Sequence, residues 1–382
     1  MYEEIAKALL LWYKENRRSL PWRDDPSPYH VWVSEIMLQQ TRVEAVKEYY
    51  RRFMDRFPDI ETLAAADEDE CRKVWEGLGY YSRVRNMKRA AASIVEEYGG
   101  KMPVTSAALK RLPGIGPYTS AAIASIAFGE RIPAVDGNLL RVFARLALYE
   151  KEIRGREALS AAAAYFQEVM DSMPSEEGVL PKDRYFFAGN TVCACPGDIN
   201  QALMDLGAMV CIPGSRPLCG QCPLRDHCLA FRNGRCSDIP VMPPKKTRRI
   251  EKRTVLIIRD GERIVLRRRP EKGLLAGMYE FPNEDGWLTE EEALEKARQY
   301  GFSPVRILPL PEAKHVFTHL EWRMRGYEIR VGDFDEMKKE TGRVTDRTKE
   351  KSDSCFAVTI SQMLKQYAVP NAFDAFFSSE AE

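Results

Sequence analysis

No stretch of this chain is apolar for long enough to span a bilayer. Nor does an apolar block with a cleavage site open it, since Met1 to Arg18 alternates leucine with glutamate, lysine and arginine at helical spacing. A membrane role and a secretory route are therefore not expected, and a cytoplasmic one is. Neither sign of charge dominates: 57 Lys and Arg against 56 Asp and Glu leave a formal charge of +1. The global balance argues neither for nor against nucleic acid. Internal repeats and low-complexity tracts are absent. There are nine cysteines, an odd number, and without a secretion signal a disulfide framework is not expected. What is present is 382 residues of globular composition, 45% hydrophobic and 30% charged, enough for two or three domains.

Local charge says more than the total. Lys245, Lys246, Arg248, Arg249, Lys252 and Arg253 crowd one stretch, and Arg267, Arg268 and Arg269 follow. Such runs are either a solvated linker or a track for phosphates. From Met1 to about Phe231 the apolar spacing is helical, with helices expected over 31–50, 68–78, 84–98, 119–128, 138–148, 158–170 and 199–210. Asp67 caps one of them and Gly99-Gly100 closes another. Residues 175–198, with Tyr185-Phe186-Phe187 but no clear period, read as a long loop. Pro240, Pro243 and Pro244 end the helical part. Beyond them, 254–258, 263–267 and 322–331 read as strands, and 289–300 and 360–367 as helices. The fold class expected is mainly α, with a separate C-terminal α+β domain.

The most telling segment is Leu112-Pro113-Gly114-Ile115-Gly116-Pro117-Tyr118-Thr119, read as a tight hairpin between two helices. Gly114 and Gly116 permit backbone angles that a Cβ forbids, and Pro117 suits the first turn of the next helix. Such a turn leaves backbone N–H groups at a positive helix end, which suits a phosphate. Pro133-Ala134-Val135-Asp136-Gly137-Asn138 then delivers a carboxylate twenty residues beyond Gly116. A phosphate anchor with a nearby acid is what cutting a bond beside a nucleic-acid backbone requires.

Four cysteines cluster as Cys211-x7-Cys219-x2-Cys222-x5-Cys228, directly after a helix. Zinc sites usually present two Cys-x-x-Cys knuckles, and only one exists here. Four thiolates around an iron–sulfur cubane fit better, with zinc the alternative. Cys193, Cys195, Cys236 and His227 lie close enough in sequence to compete as ligands. Nothing resembles a flavin or nicotinamide site, so the bland role, a staple for a loop, is favoured over redox chemistry.

The hairpin, Asp136 and the cysteine loop resemble the helix-hairpin-helix superfamily of DNA glycosylases, and within it adenine DNA glycosylases of the MutY type. Leu20-Pro21-Trp22-Arg23, Trp32-Val33-Ser34-Glu35-Ile36-Met37-Leu38-Gln39-Gln40-Thr41 and Trp75-Glu76-Gly77-Leu78-Gly79-Tyr80-Tyr81-Ser82-Arg83 look like that family's motifs. So does Asn200-Gln201-Ala202-Leu203-Met204-Asp205-Leu206-Gly207. The later part resembles the family's Nudix-like domain through Gly273-Leu274-Leu275, Tyr279-Glu280-Phe281-Pro282 and His315-Val316-Phe317-Thr318-His319-Leu320.

The resemblance implies a helix-hairpin-helix glycosylase core with an iron–sulfur cluster loop, plus a C-terminal α+β Nudix-like domain. Its expected division is 1–23 with 133–232 as the cluster-bearing helical domain, 24–132 as a six-helix domain holding the hairpin, 233–253 as a basic linker, and 254–370 for 8-oxoguanine recognition. It implies a base excision repair enzyme that removes adenine mispaired with 8-oxoguanine or guanine. The implied cofactor is a [4Fe–4S] cluster on Cys211, Cys219, Cys222 and Cys228, and the partner is double-stranded DNA carrying that mispair, met by a monomer.

Breaking an N-glycosidic bond needs a general acid for the base and an anion for the sugar's developing cation. Glu35 stands in an apolar helical stretch, where burial keeps a carboxyl protonated. By resemblance it protonates the adenine ring, while Asp136 faces the sugar as electrostatic partner or covalent nucleophile. Asn138 orients that carboxylate or the water. Tyr118 stands where bifunctional relatives carry a Schiff-base lysine, so strand cleavage is expected to be weak or absent. Gln40 and Tyr80 match the family's wedge residues, and Thr41 the place of the orphaned base. Gln201, Asp205, Trp22 and Arg23 are expected to line the base pocket, with the Gln amide facing adenine's N6/N7 edge. Phe317, Thr318 and His319 correspond to the reader of 8-oxoguanine.

Two departures stand out: the first cysteine gap holds seven residues where the family usually has six, and the stretch around Tyr185–Asp198 is longer than expected, adding Cys193 and Cys195 just before the pocket helix. Thr318 stands where the family often has serine, and Glu290, Glu291, Glu292 and Glu295 do not reproduce a Nudix hydrolase box, so the C-terminal domain is expected to recognise and not to hydrolyse. The rival readings are a thymine–guanine mismatch glycosylase, a lyase-type pyrimidine glycosylase, and a non-catalytic iron–sulfur DNA-binding protein.

Overall fold

The computed structural model describes residues 1–173, 195–214, 216–244, 247–332, 334 and 355–377. Cys193, the Tyr185-Phe186-Phe187 cluster and most of the expected 175–198 loop lie outside them. Its end does not remain a loop, since a helix starts at Pro196 with Cys195 as its N-cap. Contacts divide the chain into two units, Met1–Ala65 with Arg89–Lys245, and Ala66–Lys88 with Lys246–Glu382. Among the described residues no helix is long and apolar enough to cross a membrane.

In the first unit the helices Tyr2–Asn16, Gly137–Leu146, Arg156–Asp171 and Pro196–Met209 close on one core. Ile5, Leu9 and Tyr13 repeat at the four-residue spacing that lines one helix face, and they meet Phe143, Phe166, Leu203 and Leu206. Phe166 is fully buried, so truncation to alanine would cost about 3–5 kcal/mol. The Pro117–Phe128 helix is different, because every residue from Thr119 to Ala127 is buried. Its serines and alanines admit neighbouring backbones on all sides, and helix Pro28–Leu38 packs against it.

The expected helix over 31–50 is two helices, Pro28–Leu38 and Val43–Arg56. The break falls where Gln40 takes a positive φ of 58°, a left-handed conformation that no helix continues through. Ser27 starts the first of the pair by accepting from the His30 backbone N–H.

The second unit is built on a seven-stranded sheet among the described residues. Its strands are β1 (Arg249–Arg259), β2 (Arg263–Arg268), β3 (Tyr279–Glu280), β4 (Asn283–Asp285), β5 (Pro304–Val316), β6 (Leu320–Val331) and β7 (Cys355–Thr359). The order is β3-β2-β1-β6-β5, with β4 on β1 and β7 on β2, and only β1 and β6 run parallel. Alternate residues face opposite sides. Val255, Ile257, Leu266 and Trp322 pack toward Met363 and Phe373, while Leu256, Ile258, Val265 and Ile329 pack under helix Glu290–Gln299. β5 escaped the sequence reading because Pro304, Pro309 and Pro311 interrupt it. At a sheet edge a missing N–H is tolerated, and the register shifts between Leu310 and Ala313.

The segment Ala66–Lys88 groups with this sheet and not with the rest of the expected 24–132 domain. Tyr279 Oη donates to Asp69 Oδ2 at 2.8 Å, Lys73 Nζ to the Tyr367 carbonyl at 3.2 Å, and the Val369 N–H to Glu76 Oε1 at 3.1 Å. The expected basic linker over 233–253 also needs correction. Ile239 is buried against Ala144 and Ile153, and β1 already begins at Arg249. Several of the arginines are spent on partners: Arg253 on Asp285 at 3.0 Å, Arg268 on Glu271 at 3.2 Å, and both Arg267 and Arg269 on the buried Glu280.

Candidate active site

Glu35 sits on the inner side of helix Pro28–Leu38 and is only 5% exposed. Burial pushes its carboxyl from the usual range up to about 7, and the nearby negative Asp136 adds to the rise. Two effects oppose it: the Tyr118 hydroxyl donates to Glu35 Oε2 at 2.6 Å, and Arg23 lies close by. Tyr118 itself is pushed well above its ordinary value by burial and by both carboxylates, so it stays a neutral donor.

Asp136 is the N-cap of helix Gly137–Leu146, and both of its oxygens are engaged. Oδ1 accepts from the Leu139 N–H at 2.8 Å, and Oδ2 from Asn138 Nδ2 at 3.0 Å. Burial raises its pKa, opposed first by the backbone N–H groups of Leu139 and Asn138 and then by Arg141 and the Asn138 side-chain amide. Asn138 is held in turn, because Arg141 Nη2 donates to its Oδ1 at 2.7 Å. The same arginine grips the carbonyls of Gly207 and Cys211, each at 2.7 Å. Gly207 leaves no room for a side chain: a Cβ there would lie 2.7 Å from Asn138 Cβ.

A cavity opens beside Glu35, lined also by Trp22, Arg23, Gln201, Met204 and Ile126. Trp22, Arg23 and Gln201 are thus brought to one cavity with Glu35. Asp205 does not line it. Four positions along a helix turn it by about 40° from Gln201, and its carboxylate is fully buried against two arginines. Arg18 Nε reaches Asp205 Oδ1 at 2.7 Å, and Arg23 Nη1 reaches Oδ2 at 2.8 Å. Asp205 thus fixes Arg23, and through it the charge facing Glu35.

At the hairpin, Gly114 has φ 76°, as its glycine predicts, but Gly116 has φ −86°, which any residue adopts. What Gly116 contributes is open space, because a Cβ there meets nothing within 4 Å. Gln40 is exposed beside the break between helices, and the Thr41 hydroxyl donates to the Gln39 carbonyl at 3.4 Å. Tyr80, in the second unit, shares Gln40's unusual backbone with φ 48°. Of the four non-glycine residues with positive φ among those described, two are these wedge candidates, and such strain gathers at functional sites.

In the second unit, Phe317, Thr318 and His319 form the turn between β5 and β6, closed by the Phe317 N–H on the Leu320 carbonyl at 2.8 Å. Phe317 packs edge-on between His315 and Trp322, with ring centroids 4.6 and 4.9 Å away. Thr318 and His319 are exposed, and the Thr318 hydroxyl is hydrogen-bonded to that of Tyr80 in the same unit. The glutamates of helix Glu290–Gln299 serve the helix: Glu292 completes a capping box with Thr289, and Glu295 pairs with Arg298.

Cys211, Cys219, Cys222 and Cys228 line one small cavity together with Cys236 and Arg145. Arg145 organises its wall, donating to Cys211 Sγ at 3.3 Å and to the carbonyls of Ile212, Gly214 and Ile239. Burial pushes the Cys222 thiol up to about 12 and raises Cys228 as well, with the neighbouring thiols adding to the effect. Crowded, buried thiols of this kind suit a cationic centre that takes them as thiolates. Four cysteine thiols on the wall of one cavity are a donor set that an iron–sulfur cluster can take.

Two family profiles match. That of the HhH-GPD superfamily base excision DNA repair proteins covers residues 33–168, and that of the NUDIX domain covers 254–379. The adenine DNA glycosylase of Mus musculus is 34% identical over 384 residues, covering 84% of this chain and 69% of its own. This chain belongs to the adenine DNA glycosylase family. The enzyme of Homo sapiens is likewise 34% identical, over 84% of this chain and 66% of its own. That of Buchnera aphidicola subsp. Baizongia pistaciae is 32% identical over 82% of each.

This adenine DNA glycosylase family member is therefore a DNA-binding base excision repair enzyme with a helix-hairpin-helix core and a Nudix-type domain. Its sequence reading missed Arg18, Arg141 and Gly207. Arg141 stands three residues after Asn138 on one helix, which makes the two neighbours. Gly207 inside a helix signals close backbone approach. Arg18 had no local signal, since its partner Asp205 is 187 positions away.

Proposed function

We propose that this glycosylase removes adenine mispaired with 8-oxoguanine, or with guanine, by hydrolysing the N-glycosidic bond without cutting the strand. The observation that carries the reading is the buried Glu35 bonded to Tyr118, electrostatically coupled to an Asp136 whose two oxygens are already oriented. Base flipping costs a few kcal/mol, and the exposed, strained Gln40 and Tyr80 suit filling the gap it leaves. Thr41 would face the orphaned base. Phosphates would rest on the hairpin at Gly114 and Gly116.

Raised to about 7 by burial, Glu35 keeps its proton well above the pH at which an ordinary carboxyl loses it. That matches a general acid that must both give up and regain a proton. Protonating the adenine ring makes it a leaving group as positive charge grows on the sugar. Asp136 meets that charge with an orientation set by Asn138 and the Leu139 N–H, as ion pair or as transient ester, and water completes the hydrolysis. Gln201, Trp22 and Arg23 would hold the base, with Asp205 fixing Arg23. Tyr118 offers a hydroxyl spent on Glu35 and no amine for a Schiff base, hence a base-only enzyme. In the C-terminal domain, Phe317, Thr318 and His319 would read 8-oxoguanine. Cys211, Cys219, Cys222 and Cys228 would hold a [4Fe–4S] cluster, which supplies a brace for the loop rather than a chemical step.

The test is a panel of duplexes with adenine opposite 8-oxoguanine, adenine opposite guanine, and thymine opposite guanine. Alkali-dependent cleavage of the first two only, with no borohydride-trapped adduct, is expected. Release of thymine would favour the mismatch glycosylase instead.

A further inference from the structure

We propose that Cys236 is a fifth metal-facing thiol that exchanges with Cys219 as a ligand of the cluster. The inference rests on the cofactor reading above. Five thiols line the cavity where a cubane needs four, and Cys236 falls outside the Cys211-to-Cys228 spacing. The chain folds back to bring it there. After the short helix Leu229–Arg232, the Arg235 N–H returns to the Ala230 carbonyl at 2.7 Å, and Arg145 Nε catches the Ile239 carbonyl at 2.9 Å. Cys236 is thus fixed from both sides.

Its sulfur lies 3.9 Å from Cys219 Sγ. Thiolate–metal bonds are about 2.3 Å long, so two sulfurs less than about 4.6 Å apart can reach the same metal atom. Two of the other ligands are bonded to Arg145. Arg145 donates to Cys211 Sγ, and Cys228 Sγ donates to the Arg145 carbonyl at 3.4 Å. Cys219 is the ligand whose sulfur the fold places against that of Cys236. In the exchange a Cys236–iron bond forms as the Cys219–iron bond breaks, and the proton of the Cys236 thiol passes to Cys219, with no net oxidation. The consequence is a cluster loop that survives chemical damage at Cys219.

Full-length wild type, Cys219→Ser, Cys236→Ser, Cys222→Ser and the double variant Cys219→Ser/Cys236→Ser are purified without oxygen. Iron, acid-labile sulfide and visible absorbance are measured per chain. Cys219→Ser should keep about half or more of the wild-type iron, whereas Cys222→Ser and the double variant keep about a tenth or less. If Cys219→Ser is as empty as the double variant while wild type is loaded, the exchange is wrong and the cofactor reading stands. Iron-free wild type overturns the cofactor reading itself. Iodoacetamide mapping gives an answer even if Cys219→Ser does not fold. Wild-type holoprotein should be alkylated at Cys219 with iron retained, and in Cys236→Ser that alkylation should occur only with loss of iron. Equal protection of Cys219 in both proteins contradicts the exchange.

Discussion

Replacing Glu35 with glutamine should make the protein more stable at neutral and alkaline pH while disabling the chemistry. Glu35 is raised from 4.5 to about 7, chiefly by burial. The folded state therefore binds this proton more tightly than the unfolded chain. Stability linked to it is fully present below pH 4.5, falls between 4.5 and about 7, and is gone above. The rise from 4.5 to about 7, at 1.36 kcal/mol for each tenfold change in proton affinity, is worth about 3 kcal/mol. Glutamine has no charge to desolvate and still offers an oxygen to the Tyr118 hydroxyl. Against wild type, Glu35→Gln should gain about 3 kcal/mol at pH 8 and almost nothing at pH 4.5. Asp136 is also raised by burial, which is common to both proteins, while its repulsion of Glu35 is already part of the rise from 4.5 to about 7. Urea unfolding of both proteins, followed by a probe in the first unit across this pH range, measures it. A difference that does not change with pH would refute the claim that Glu35 is buried, titrates near neutrality and is poised as an acid.

Tyr118→Phe removes the donor that lowers the Glu35 pKa, so the alkaline limb of the single-turnover rate should move to higher pH; an unmoved limb counts against that bond. Gly207→Ala puts a Cβ 2.7 Å from Asn138 Cβ, and overpacking of about 1–3 kcal/mol expressed in the transition state would slow kcat by roughly 5–150-fold with duplex affinity retained. In an Asn138→Gly background the same substitution should cost much less, and equal losses in both backgrounds would show that Gly207 acts elsewhere.

The reactive residues were legible because the chemistry is local in sequence. Glu35 announces itself as an acid in an apolar helix, and Asp136, Asn138 and Tyr118 lie within a short stretch around one hairpin. What holds them was harder to read. Asp205 appeared to face the base because four positions on a helix nearly align, yet two arginines with far-away sequence positions claim it. Gly116 looked conformationally necessary, whereas its value is the empty space beside it. The break at Gln40 has no glycine or proline to signal it, since the left-handed backbone there is imposed by its surroundings. In the C-terminal unit β5 was hidden by prolines that only an edge strand accepts. The grouping of Ala66–Lys88 with the sheet depends on partners such as Asp69 and Tyr279, which only the folded chain brings together.

The most direct measurement of the central claim is single-turnover adenine release by Asp136→Asn on a duplex with adenine opposite 8-oxoguanine, with binding of the same duplex measured in parallel. Asparagine keeps an acceptor for the Leu139 N–H but removes the charge that meets the sugar cation. The account predicts near-complete loss of adenine release with affinity within a few-fold of wild type. Release at the wild-type rate would contradict it.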